Sequence, residues 1–171
     1  TGLVRDLADN HGFVTTKKKI LILGAGGAVR GILPSLIETQ PSSITIANRT
    51  MEKAENLQLE LGDRFSLNAM PYEELGAEMY DLIINGTSMG IDKKTPDIAG
   101  AVVSETTVCY DLMYSTEPTA FMQWGYEKHV ALSVDGLGML VEQAAESFAI
   151  WTGKRPDTKP VYQSMRQADK H

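Results

Sequence analysis

A short run of small residues, Gly-Ala-Gly-Gly-Ala at positions 24–28, follows large aliphatic residues and precedes a stretch compatible with a helix. This order is typical of a strand, a tight turn and a helix N-terminus. Glycines let the backbone turn sharply, and the helix end offers free N–H groups and a partial positive charge. The segment therefore predicts a phosphate site, although Val29 stands where a G-x-G-x-x-G motif has its third glycine. The alternative is an ordinary strand-to-helix turn.

A second set of polar residues follows the next predicted strand. It comprises Asn48, Arg49 and Thr50, with Lys53 close behind and no acidic residue among them. NAD sites usually place an acid here to accept the ribose 2′-hydroxyl, and methyltransferases that use SAM usually do the same. The planar guanidinium of Arg49 instead suits a 2′-phosphate, and Thr50 is expected to cap the next helix. We therefore expect NADP rather than NAD; the alternative is an exposed arginine at a helix start.

The longest predicted helix, residues 136–152, carries the third signal. Gly136, Met139 and Gln143 stand at positions i, i+3 and i+7 and share one face, with Asp135 as the expected N-cap. Gly136 and Met139 can then approach a nicotinamide ring, and Gln143 can present its amide beyond it. The alternative is a methionine that packs in the core and a solvated glutamine.

Residues for acid–base or metal chemistry are scarce. The three histidines, His11, His129 and His171, show no metal spacing, and no Ser-His-Asp or Cys-His set stands out. No residue is a convincing general acid or base, which is unexpected for a dehydrogenase unless its catalytic groups lie elsewhere. The single Cys109 lies in an apolar run and predicts a buried, reduced thiol, typical of the cytoplasm.

Composition limits the classes of partner. The 171 residues are 43% hydrophobic, enough for one core, and 22 acidic against 16 basic residues give a net charge of −6. This charge argues against nucleic-acid and anionic-membrane binding, so an anionic ligand must be held by a few local groups. No apolar run approaches the roughly 18 residues of a transmembrane helix.

Strands alternating with helices predict a Rossmann-like α/β domain. We expect a doubly wound parallel sheet in the order 3-2-1-4-5-6, with helices on both faces and ligands at the carboxyl ends of the strands. Pro34 predicts a kink or a late start in the helix that contains it. The predicted strands cover residues 19–23, 43–48, 64–70, 80–85, 106–111 and 130–134, and the predicted helices cover residues 1–10, 27–39, 51–61, 117–129, 136–152 and 156–169.

The motifs, taken in order, strongly resemble the shikimate dehydrogenase family. The matching segments are residues 24–30, 48–50, 85–90, 110–114 and 135–144, of which the last is the most specific. The resemblance covers nearly the whole chain but only the C-terminal, cofactor-binding half of that enzyme. This chain departs at Gly86, where the family usually has Ala, and at Leu112, where Met is common; we expect little consequence from either.

The resemblance implies a role for each motif. Tyr114 and Gln143 would reach the hydroxyls or the carboxylate of shikimate. The cofactor site would consist of Gly24, Ala25, Gly26, Gly27 and Ala28 at the pyrophosphate, of Asn48, Arg49, Thr50 and Lys53 at the adenosine ribose and its phosphate, and of Thr87, Ser88, Leu112, Gly136 and Met139 on the nicotinamide side.

The resemblance also implies how the chain is organised and what it does. Residues 1–171 would form one NADP-binding domain, with residues 1–16 leading from a preceding substrate domain and residues 154–171 forming a C-terminal helix. The parent enzyme would transfer a hydride reversibly between NADPH and 3-dehydroshikimate, giving shikimate for aromatic amino-acid biosynthesis. Its catalytic Lys and Asp are not in this sequence, so the chain is expected to bind cofactor without turnover.

Several alternatives remain. They are an NAD-using quinate/shikimate dehydrogenase, a non-catalytic NADP-binding module that works through a partner, and a methyltransferase. The expected partner is a small-molecule substrate, with no nucleic acid and no membrane. A homodimer is possible, because Val161 and Met165 on the last predicted helix would expose apolar surface if that helix lacks its packing partner.

Overall fold

Six parallel strands form the centre of the computed structural model, which describes residues 1–62, 65–76, 78–87, 98 and 102–168. They are β1 (Lys19–Leu23), β2 (Ser43–Ala47), β3 (Leu67–Met70), β4 (Leu82–Asn85), β5 (Val108–Asp111) and β6 (Leu132–Val134). The strands lie in the order β3-β2-β1-β4-β5-β6, and every neighbouring pair is parallel. The predicted doubly wound sheet is confirmed, and β3 lies at one edge.

The last three strands begin two residues later than predicted. The backbone N–H of Tyr80 donates to Val102, that of Thr107 to Ser104 and that of Val130 to Gly125, so these three N–H groups do not pair with a neighbouring strand. Tyr80 and Thr107 are nevertheless buried. An apolar sequence pattern indicates which residues are buried, but not which of them pair with a neighbouring strand. The predicted strands therefore began before the first residue of each observed strand.

Helices cover both faces of this sheet. They are α1 (Gly2–Arg5), continued by a π-helical turn (Asp6–Asn10), then α2 (Gly27–Glu38), α3 (Met51–Leu61), a 3-10 turn (Tyr72–Glu74), α4 (Ala120–Glu127), α5 (Leu137–Thr152) and α6 (Lys159–Ala168). Alternation along β1 separates two apolar cores: Ile20 and Ile22 pack with Leu3 and Leu7 of the N-terminal segment, and Leu21 packs on the opposite face with Phe121.

Helix α2 begins at Gly27 as predicted and runs through Pro34, so of the two effects expected from that proline the late start does not occur. Other predicted helix starts need correction. Helix α6 begins at Lys159 rather than residue 156. Helix α4 begins at Ala120 rather than residue 117, because the Thr119 side chain caps it by accepting a hydrogen bond from the Met122 N–H at 3.1 Å. Gly136 is the N-cap of α5, and the Asp135 carboxylate instead accepts from the Leu137 N–H at 3.2 Å.

An apolar groove of about 390 Å³ separates α5 from α6. Val161 and Met165 line it together with Phe148, and Val161 is half exposed. Association of the chain through this surface stays a prediction. None of the helices in the described part of the chain is both long and apolar enough to span a bilayer.

Candidate functional site

A cleft of about 940 Å³ opens at the carboxyl ends of the strands. It lies across the point where the strand order reverses between β1 and β4, which is where doubly wound sheets bind their ligands. The predicted residues that line it are Gly24, Ala25, Gly26, Gly27, Ala28, Asn48, Arg49, Thr50, Lys53, Thr87 and Leu112. One cleft therefore brings together groups separated by almost 90 positions in the chain.

The glycine turn forms the floor of this cleft. Gly24 has φ +99°, a conformation that favours glycine, and a Cβ there would lie 3.0 Å from the Gly86 carbonyl oxygen. Gly26 is the N-cap of α2, and no described side chain caps that helix. A Cβ at Gly26 or Gly27 would meet nothing within 4 Å. Unpaired N–H groups of the first turn therefore lie beside open space, as an anion site requires.

Val29 and Gly86 fit each other. Val29 is fully buried, and a Cβ added at Gly86 would overlap its Cγ2 methyl. The Val29 side chain, at the third position of the glycine motif, therefore occupies the space that a side chain at position 86 would need. Gly86 is thus not a neutral departure from the family pattern, because the valine requires it.

The cations at the end of β2 have no ion-pair partners among the residues that the structure describes. Among the described residues neither Arg49 nor Lys53 enters an ion pair, whereas Arg30 of α2 pairs with Glu60 at 2.6 Å. The Asn48 side chain donates to the Thr50 carbonyl at 2.8 Å and orders the turn. Both cations are exposed and line the cleft, so they remain available for an anionic ligand.

Thr50 does not behave as predicted. It occupies the N-cap position of α3, but its side chain makes no capping hydrogen bond. The expected helix cap is therefore wrong, although Thr50 does line the cleft.

The sequence analysis missed one wall of the cleft. Tyr72, Glu73 and Leu75 line it from the 3-10 turn that follows β3. Burial raises the pKa of the Tyr72 hydroxyl and the neighbouring Arg49 opposes that shift, which places the two side chains near each other. The available signal was topological: β3 ends at the same edge as β2, so the residues after it border the same cleft.

Buried polar groups hold the loops after β4 and β5. Asp111 accepts hydrogen bonds from the Asn85 side chain at 3.2 Å, the Met113 N–H at 3.1 Å and the Thr119 hydroxyl at 2.7 Å. Asn85 in turn accepts from the Thr87 hydroxyl at 2.8 Å. Burial raises the pKa of Asp111 despite these donors. The network fixes Thr87 and Met113, another residue that the sequence analysis missed, at the cleft wall.

An ion pair joins α6 to the end of β6. The Arg166 guanidinium donates to both carboxylate oxygens of Asp135, one of them at 2.9 Å, and Asp135 is only 2% exposed. The adjacent Gly136 packs on the backbone after β5, because a Cβ there would lie 2.5 Å from the Leu112 carbonyl oxygen. Gly136 therefore supports the cleft wall from behind.

Four other predicted site residues lie outside the cleft lining. Gly136 is buried and Met139 partly buried, Tyr114 is 50% exposed, and Gln143 lies on the exposed part of α5 beside Gly2. Ser88 falls outside the described residues. The structure thus brings the predicted phosphate-binding groups together and leaves the predicted substrate-binding pair, Tyr114 and Gln143, apart from them.

Known proteins resemble this chain over almost its whole length. The shikimate dehydrogenase (NADP(+)) of Methylococcus capsulatus is 46% identical over 164 residues, which are 96% of this chain and 59% of that protein. The crystal structure of an Ael1 enzyme from Pseudomonas putida is 41% identical with a TM-score of 0.88, covering 95% of this chain and 60% of that one. Shikimate dehydrogenase from Aquifex aeolicus is 30% identical with a TM-score of 0.77, covering 96% and 59%.

Two family profiles match the chain. The profile described as shikimate / quinate 5-dehydrogenase matches residues 6–95, and that of the shikimate 5'-dehydrogenase C-terminal domain matches residues 136–166. The chain spans about 60% of the length of the relatives compared above. The fold, the position of the cleft and these matches agree, and the chain belongs to the shikimate / quinate 5-dehydrogenase family.

Proposed function

We propose that this chain is the NADP-binding part of a shikimate dehydrogenase, which interconverts 3-dehydroshikimate and shikimate. One observation carries the choice of cofactor: Arg49 and Lys53 line the cleft at the end of β2 without an ion-pair partner among the described residues. An NAD site would have an acidic residue at that strand end to accept a ribose hydroxyl. Two open cations suit the 2′-phosphate of NADP instead.

Different groups of the chain bind different parts of the dinucleotide. The first-turn N–H groups of α2 and the open glycines of residues 24–28 receive the pyrophosphate. Arg49, Lys53 and Thr50 hold the adenosine ribose and its phosphate. Thr87 and Leu112 border the opposite end of the cleft, where the nicotinamide would lie. When bound, the nicotinamide supplies the hydride.

The proposal places substrate contacts and proton transfer largely outside the cleft floor. Tyr114 and Gln143 are exposed and would meet shikimate from the cofactor side. No described residue lining the cleft is a histidine, lysine or carboxylate apart from Lys53 and Glu73, both on the adenosine side. We assign proton transfer to the family's Lys and Asp, in the portion of the relatives that this chain does not span. The buried, unpaired Cys109 fits a reducing compartment, and we propose the cytoplasm.

Calorimetric titration of the 171-residue chain with NADPH and with NADH tests the proposal. The chain is expected to bind NADPH more tightly than NADH and to reduce no NADP when shikimate is added. Arg49→Ala should weaken NADPH by about 30-fold, which corresponds to about 2 kcal/mol for a charge-assisted contact, and should change NADH little.

Arg30→Ala is the matched control, because Arg30 follows the same glycine turn but is paired with Glu60. It should leave both affinities unchanged. Equal losses for NADPH and NADH in Arg49→Ala would remove Arg49 from the 2′-phosphate site. Turnover of shikimate by the chain alone would overturn the assignment of proton transfer to residues outside it.

A further inference from the structure

Asp6, in the π-helical turn that follows α1, is a fully buried carboxylate with unusual partners. It accepts hydrogen bonds from the Tyr110 hydroxyl at 2.5 Å and from the Asn10 side chain at 2.7 Å. Within the described residues its only ion-pair neighbour is His11, whose Nε2 lies 3.6 Å from Oδ1. No lysine or arginine in the described part of the chain pairs with it, although burying a carboxylate is costly unless other groups compensate.

The first turn of α5 supplies part of that compensation. The Asp6 carboxylate lies so close to Gly138 that a Cβ there would overlap it. The N-terminal end of a 16-residue helix favours a nearby anion. Gly138 is therefore the residue that permits the approach, and the N-terminal segment packs against α5 at this point.

Tyr110 connects the carboxylate to the sheet. Its hydroxyl donates to Asp6. Burial, followed by the charge of Asp6, raises the pKa of the Tyr110 hydroxyl well above its usual range, so it acts as a neutral donor. Tyr110 is itself fully buried in β5 and stands two residues before Leu112 of the cleft wall.

Two routes thus lead from Asp6 to the wall of the cleft. One runs through Tyr110 along β5 to Leu112. The other runs from the carboxylate directly to Gly138 and then to Gly136, which packs on the Leu112 carbonyl. Both routes reach the nicotinamide end of the cleft, and neither reaches Arg49 or Lys53 at the adenosine end.

We propose that Asp6 is a positioning residue for the nicotinamide: its bond to Tyr110 holds the start of α5 and the end of β5 in the arrangement that receives the ring. This inference rests on the proposed NADP binding. It assigns the N-terminal segment a part in cofactor binding at a distance from the cleft, through two buried side chains that touch no ligand.

The test compares two ligands on the 171-residue chain. NADPH fills the whole cleft, and adenosine 2′,5′-bisphosphate fills only the adenosine end. Tyr110→Phe, which removes one oxygen and keeps the core volume, and Asp6→Asn should each weaken NADPH by about three- to tenfold, the scale of one hydrogen bond. Both should leave adenosine 2′,5′-bisphosphate unchanged.

Matched controls lie just before β4, at the amino ends of the strands and away from the cleft. Tyr80 is buried, and Asp81 accepts from the Lys19 N–H at 2.8 Å. Tyr80→Phe and Asp81→Asn should leave both affinities unchanged. Unchanged NADPH affinity in Tyr110→Phe, or equal losses for both ligands, would overturn the inference. Failure of the unmutated chain to bind adenosine 2′,5′-bisphosphate would instead contradict the proposed function.

Discussion

The two ends of the cleft differ in whether their polar groups have partners within the protein. On the phosphate side, defined as residues 24–28 and 48–53, backbone N–H groups and two cations face the cleft without internal partners among the described residues. On the nicotinamide side, defined as residues 110–115 and 135–139, Asp111 and Asp135 are buried and each accepts several hydrogen bonds. The cations of the phosphate side lack ion-pair partners among the described residues, whereas the carboxylates of the nicotinamide side are hydrogen-bonded within the protein.

This difference indicates which kind of ligand group each end of the cleft suits. An anionic group is bound where donors are left unsatisfied by the protein, because the ligand then completes them. A flat ring without strong charge needs a wall of fixed shape, and buried hydrogen-bonded carboxylates fix loop backbones firmly. Substitutions on the nicotinamide side should therefore reduce stability, whereas substitutions of the two cations on the phosphate side should reduce binding alone.

Gly138→Ala should have the largest effect. The added methyl group would overlap the Asp6 carboxylate and push a buried charge from its donors. Overpacking and lost hydrogen bonds together should lower the free energy of unfolding by about 3 kcal/mol or more in urea titrations. Gly31→Ala in the exposed middle of α2 is the control, since a Cβ there meets nothing within 4 Å. It should raise stability by about 0.5–1 kcal/mol, and equal losses in the two variants would refute this account.

Gly86→Ala tests the junction of the two sides. Its methyl group would overlap Val29, which is rigid at χ1 and fully buried, so we expect a loss of about 2 kcal/mol. Val29→Ala removes the obstacle at the cost of a cavity. In a double-mutant cycle by urea unfolding, the double mutant should lose less unfolding free energy than the sum of the two single losses, by about 1 kcal/mol or more. Additive losses would mean that the two residues do not share the same space.

The contributions of Asp6 and Asp111 to the free energy of unfolding should depend on pH in different ways. These effects should be the smallest of those predicted. Burial acts to raise the pKa of Asp6, but the neighbouring His11 and the hydrogen bonds from Tyr110 and Asn10 outweigh it and hold the pKa below the ordinary 3.8. The folded state therefore binds this proton less readily than the unfolded state does. The contribution of Asp6 is present above pH 3.8 and is lost as the pH falls through the folded pKa.

Asp111 has the opposite sign, because burial raises its pKa. Its contribution is greatest below pH 3.8 and declines as the pH rises through the folded value. Urea unfolding across an acid-to-neutral series should thus show the gap between the unmutated chain and Asp6→Asn closing toward acid. The gap for Asp111→Asn should change in the opposite direction. Parallel pH profiles for the two variants would contradict these assignments.

Much of the phosphate side could be predicted because its chemistry is local. The aliphatic run of β1, the glycines after it and the start of α2 follow one another directly in the chain. Arg49 and Lys53 stand just after β2 for the same reason. The Thr50 cap failed because a residue type favours a helix cap without ensuring that its side chain turns toward the helix.

The nicotinamide side could be predicted only in part. The spacing of Gly136 and Met139 identified one helix face, but not that this face supports the Leu112 backbone rather than lining the cleft itself. Tyr72 was missed because no motif contains it, and Met113 was missed because its motif gave a role only to its neighbours Leu112 and Tyr114. Asp6 gave no signal, since its partner Tyr110 lies 104 positions away.

By itself the sequence determined the doubly wound sheet, the glycine turn at its switch point and the cations that favour a phosphorylated dinucleotide. These features depend on periodicity and on neighbours within a few residues, which any single segment carries. Only the tertiary structure decided that Val29 requires Gly86, that Arg166 holds Asp135 and that Asp6 reaches α5 through Tyr110. Those outcomes depend on close packing between segments distant in the chain, where one methyl group or one hydroxyl decides what fits.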